Sequence, residues 1–219
     1  MSDASFSQLL DLACGVFLLA AVGVLWRRRL TALVRLLALQ GTALAAVVAL
    51  LAAHERSVEL AAVAAIVAAL KAVVVPRLLW RTLAASGQPR ETAPLANITA
   101  SLLAAAALTL VAYAAADPLV ALTGTTAGHA VPVGLAVMLI GFFTLATRRR
   151  AVSQVTGMLL IDNGIDAVAF LTTAGVPMVV ELGVSLDLLL AVVVLQILTA
   201  RLHAVHGVTG LDELRELHD

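Results

Sequence analysis

Three acids and one base stand where this chain otherwise tolerates almost nothing polar. Lys71 lies midway along the apolar run from Ser57 to Trp80. Asp162 and Asp166 interrupt the run from Ala151 to Ala174, and Asp187 the run from Pro177 to Ala200. Gln40 holds the matching place between Leu30 and Ala53. A charge near the centre of a bilayer costs about 2.5–3.5 kcal/mol even on lenient insertion scales, so such residues are as a rule paired and functional. Asp162 and Asp166, four apart, project from one face of a helix. Two carboxylates so placed in a low dielectric resist simultaneous ionisation, and one is expected to hold a proton. A proton relay needs such a site, whose occupancy a neighbouring charge can switch. The rival reading is a pair of acids hydrogen-bonded to adjacent helices for packing alone.

Lys71 is the natural counter-charge, and a buried lysine changes protonation state readily. Pro76, five residues on, has no N–H and clashes with the carbonyl of Ala72, so a helix break is expected beside Lys71. Asp187 falls near the middle of its run and Glu181 nearer its outer end, which makes Asp187 the stronger member of a proton or ion pathway and Glu181 a candidate for its outer boundary. Gln40 cannot change charge, but its amide can continue a hydrogen-bonded chain. Asn163 stands about 100° around the helix from Asp162. No nucleophile–base pair, glycine-rich phosphate loop or metal cluster accompanies these residues, so no covalent chemistry and no cofactor or metal is expected in this chain.

The elements that carry them are membrane spans. Apolar residues make up 62% of the 219 residues and charged residues 13%; mean hydropathy is +1.04. Soluble domains run about 45–50% apolar and about 25% charged. The net charge of zero points to no nucleic-acid partner and leaves lipid as the surrounding medium. Cys14, the lone cysteine, reads as a small buried apolar residue.

A span needs about 20 apolar residues, which predicts an all-α polytopic bundle of about seven transmembrane helices, near 6–26, 30–53, 57–80, 95–116, 130–147, 151–174 and 177–201. The first run follows the acidic stretch MSDASFSQ and precedes Arg27–Arg29, the reverse of a secretory signal. Arg27–Arg29, Arg77, Arg81, Arg90, Arg148–Arg150, Arg201 and Arg215 would all fall on one side, which predicts a multi-pass protein of the cell membrane with its N-terminus outside and its C-terminus cytoplasmic. Asp117-Pro118 is expected to open an outside loop carrying a short turn, and Ser153-xxx-Gly157 to permit close helix contact.

The chain also repeats itself. Arg27–Arg29 opens a span centred on Gln40-Gly41, and Arg148–Arg150 one centred on Asp162-Asn163-Gly164; each is followed by a span with a central charge. The expected organisation is a three-helix group over 1–85, a linking helix and loops over 86–129, a second three-helix group over 130–202 and a cytoplasmic tail over 203–219.

The stretches LLIDNGIDAVAF, PMVVELGVSLDLLLAVVVLQI and AALKAVVVPRLLWRTL resemble the membrane component E of hydrogenase-4-type (group 4) nickel–iron hydrogenases over nearly the whole chain. Each half is also similar to the small K-type subunit of respiratory complex I and to its counterpart in multisubunit cation/proton antiporters. The resemblance implies a non-catalytic subunit of an oxidoreductase complex, seated between antiporter-like, complex-I-like membrane subunits and a peripheral redox arm that holds the nickel–iron and iron–sulfur centres. It implies a role in proton, or sodium, translocation coupled to electron transport. The K-type glutamates map onto Gln40 and near Lys71 in the first half, and onto Asp162 and near Asp187 in the second; Asp166 lies outside that pattern. The alternatives are a purely structural anchor, a subunit of a cation/proton antiporter and a free-standing transporter.

Overall fold

The computed structural model describes residues 3–86, 97–149 and 151–173, and every regular element among them is helical. The expected seventh span and the tail, with Asp187 and Glu181, lie outside the described residues. Helix α1 runs Asp3–Trp26 and α2 Leu30–Glu55. Three segments then form one long helix: α3 (Val58–Val67), a π-helical stretch (Ala68–Val74) and α4 (Val75–Ser86). Helix α5 spans Ile98–Thr123, a 3-10 turn Ala127–Ala130, α6 Val131–Thr147 and α7 Ala151–Thr173. Six of these helical stretches are long and apolar enough to cross a bilayer. The protein is a multi-pass membrane protein.

The boundaries have local causes. Arg56 takes the left-handed conformation (φ 53°) that ends α2, and the Ser57 hydroxyl accepts from Leu60 N at 3.2 Å to open α3. Asn97 opens α5 in the same way, its Oδ1 accepting from Ala100 N at 2.7 Å. Pro132 falls at the start of α6, where its missing N–H costs nothing.

Two expectations are corrected. Asp117-Pro118 does not open a loop: α5 runs through it to Thr123 and stops at Gly124, which has φ 58°. Pro118 deprives only the Ala114 carbonyl of its ladder bond, and both residues lie on the exposed side near the helix end. Pro76 does not break its helix either. The chain changes register instead, with Val75 N bonding back to Leu70 O across the π turn that precedes the proline. Widening the turn to i→i+5 moves the upstream carbonyls clear of the pyrrolidine ring.

Packing is densest between α6 and α7, where backbones touch. A methyl group added at Gly141 would lie 2.7 Å from Ile161 N, and one at Gly164 would lie 2.6 Å from Met138 N. Small residues substitute here for the hydrophobic effect, which cannot drive helices together in lipid. Elsewhere the Phe6 ring stacks on His54 with centroids 4.1 Å apart, joining the start of α1 to the end of α2. Helix α2 packs against α1, the π stretch and α7, so its two sides reach both halves of the chain.

Candidate functional site

Asp162 and Asp166 lie one turn apart on α7 and face the π stretch. Lys71 Nζ donates to Asp162 Oδ2 at 2.7 Å and also bonds Asp166 Oδ2. All three side chains are buried, at 7%, 6% and 4% exposure for Lys71, Asp162 and Asp166. The i, i+4 spacing sets both carboxylates on one stripe, so a single ammonium reaches both. One ammonium between two carboxylates is neutral with a single proton on the acids and carries one negative charge without it.

A glycine permits that approach. A Cβ on Gly41 would lie 2.5 Å from both the carbonyl carbon and oxygen of Lys71, and 2.9 Å from Ala72 N. The α2 backbone therefore presses directly on the π stretch at the residue that bears the ammonium. Next to it, Gln40 Oε1 accepts from Asn163 Nδ2 at 2.9 Å, and Gln40 is fully buried. Its amide nitrogen, with two N–H donors, has no hydrogen-bond partner among the described residues. Because Asn163 is offset by about 100° from Asp162, α7 offers its carboxylates to the π stretch and its amide to α2.

No family model and no solved structure matches this sequence. It is 50% identical, over 220 aligned positions covering the whole of both chains, to uncharacterized protein Rv0085 of Mycobacterium tuberculosis. This chain belongs to that protein's family. More distant similarity reaches the hydrogenase-4 component E proteins of Escherichia coli K12 and Shigella flexneri, each 29% identical over 150 residues, or 67% of this chain and 68% of theirs. The similarity to component E agrees with the expected resemblance over two thirds of the chain, not over nearly the whole of it.

Of the sequence-predicted residues, Lys71, Asp162 and Asp166 form one cluster, with Gln40 and Asn163 bonded beside it; Pro76 lies just past the π turn on the same helix. Asp187 and Glu181 are outside the described residues. The nickel–iron and iron–sulfur centres implied for partner subunits do not fit this chain's own donors. The sequence has one cysteine, Cys14, buried in the core, whereas such clusters take several thiolates.

Two residues of consequence were not singled out by sequence. Gly41 appeared only as a neighbour of Gln40, and nothing local marks it as a backbone contact. Arg148 was read as one of a cytoplasmic triplet, yet it is buried and its Nη2 donates to Val24 O at 3.1 Å and Leu25 O at 3.0 Å. It supplies donors to the orphan carbonyls at the end of α1 and places positive charge at the negative end of that helix dipole. Arg148→Ala is expected to destabilise the bundle by about 2–3 kcal/mol through lost charged hydrogen bonds. The exposed neighbour substitution Arg28→Ala should stay within about 0.5 kcal/mol. Unfolding midpoints in mixed micelles check both, and equal effects of the two would overturn the capping role.

Proposed function

We propose that this chain is a non-catalytic membrane subunit of a hydrogenase-type, complex-I-like oxidoreductase, and that its Lys71–Asp162–Asp166 cluster handles the ion moved when electrons flow. The observation that carries the reading is a lysine shared by two carboxylates inside a membrane bundle, a placement whose desolvation is hard to explain by packing alone. Similarity to hydrogenase-4 component E supports the class of complex. The partners would be antiporter-like and complex-I-like membrane subunits and peripheral redox subunits carrying the metal centres. The basic residues would face the cytoplasm and the N-terminus the outside of the cell membrane. The three-helix groups would be related copies, with Gln40 and Asp162-Asn163 at equivalent places.

In this reading the cluster holds one proton at rest. Loss of that proton leaves a net negative charge that the next proton neutralises, and the amide of Gln40 would extend the polar path across α2. Asp162→Asn removes the switchable charge but keeps the Lys71–Asp166 pair, which is neutral by itself. That variant is expected to assemble at normal levels and to abolish redox-coupled proton uptake in membrane vesicles. Normal uptake with normal assembly would refute the assignment. It would favour an architectural role instead, which the tie between α7 and the π stretch also fits.

A further inference from the structure

Resting on the reading that this cluster handles an ion, we infer that Lys71 is the ion-specificity determinant: its ammonium fills the place a monovalent metal cation would take between Asp162 and Asp166, so the site accepts protons and excludes sodium. Both carboxylates present Oδ2 to the same Nζ atom. An ammonium is a compact cation with three donors and no acceptor, so it meets the carboxylates as a bound alkali ion would, tethered by the lysine stem. A sodium ion brought to these oxygens must displace it or lie beside it in a low dielectric, where like charges repel strongly.

A proton faces neither obstacle. It bonds to one carboxylate oxygen, needs no shell of oxygen ligands, and turns a cluster of one cation and two anions into a neutral one. The rest of the described bundle adds little buried charge. Among the described residues the buried charged side chains are these three and Arg148, whose guanidinium is committed to the end of α1. Gln40 and Asn163, the buried amides alongside, are uncharged and bonded to each other. Gly41 lets the α2 backbone abut that of Lys71, which leaves the lysine backbone little room to retreat.

The test is sodium binding read by thermal unfolding of the purified full chain, in sodium chloride against choline chloride at equal ionic strength. The wild-type midpoint should be the same in both salts. Lys71→Gln vacates the cation position and should gain a sodium-specific rise of roughly 3 °C for each tenfold step in sodium concentration above its binding constant. Lys71→Arg keeps a cation there and should stay insensitive. A sodium-specific shift in the wild type, or none in folded Lys71→Gln, overturns the inference. Should Lys71→Gln fail to fold, wild type and Lys71→Arg still decide it, since a sodium response in either is fatal. The readout needs no pumping. A complex that moves no protons while these shifts appear as stated would remove the proposed function and leave the specificity of the site intact.

Discussion

Lys71→Met is expected to cost the bundle about 3–5 kcal/mol, the usual penalty for stripping one partner from a buried ion pair. Asp162 and Asp166 would be left facing each other in lipid without the ammonium that now touches both. The penalty belongs to the orphaned acids more than to the lost bonds, which gives a strong internal control. Combining Lys71→Met with Asp162→Asn and Asp166→Asn removes all three charges at once and should recover most of the loss, since replacing a whole buried ion cluster by neutral groups is often close to neutral. Unfolding midpoints in mixed micelles, with native gels for complex assembly, measure both. A single variant as stable as wild type, or a triple variant no better than the single, would show that the cluster does not hold these helices together.

Gly41→Val is also expected to be damaging, although it touches no charged atom. The first added carbon already falls 2.5 Å from Lys71 backbone atoms, and α2 must move away from the π stretch to admit it. Overpacking of this kind costs about 1–3 kcal/mol, and a handicap of one or two kcal/mol changes the population of the paired arrangement by a factor of about 5–30. Redox-coupled proton uptake should fall accordingly, alongside the unfolding midpoint. Gly15→Ala is the matching control, because nothing lies within 4 Å of a methyl there and alanine is the better helix former. Equal behaviour of the two glycine variants would show that the close approach at Gly41 is dispensable.

The residues that argue for function were visible before any fold was known, because a bilayer makes them conspicuous. An apolar run of span length predicts a helix almost independently of its neighbours, since every backbone group in lipid must find its partner within the segment. The spans near 6–26, 30–53, 57–80, 130–147 and 151–174 accordingly agree with the observed helices to within a few residues, apart from the C-terminal end of the third, where α4 continues to Ser86. The exception at Asp117-Pro118 has the opposite cause. A turn signal there was strong by composition, but near the exposed end of a helix one missing N–H is cheaply lost, and Gly124 was the real terminator. Pro76 misled in the same way: the helix absorbed it with a π turn, at the very place where Lys71 leaves the backbone.

The sequence by itself determined that this is a helical membrane protein, that Asp162 and Asp166 share a face, and that Lys71 must find an acid, because helix periodicity and the cost of charge in lipid act locally. Only the tertiary structure decided that the one ammonium serves both carboxylates, that Asn163 meets Gln40, that Gly41 opens the way for Lys71, and that Arg148 closes the end of α1. Those choices depend on the azimuth and spacing of helices distant in sequence, set by which backbones can approach closely, and no periodicity within a single run encodes them.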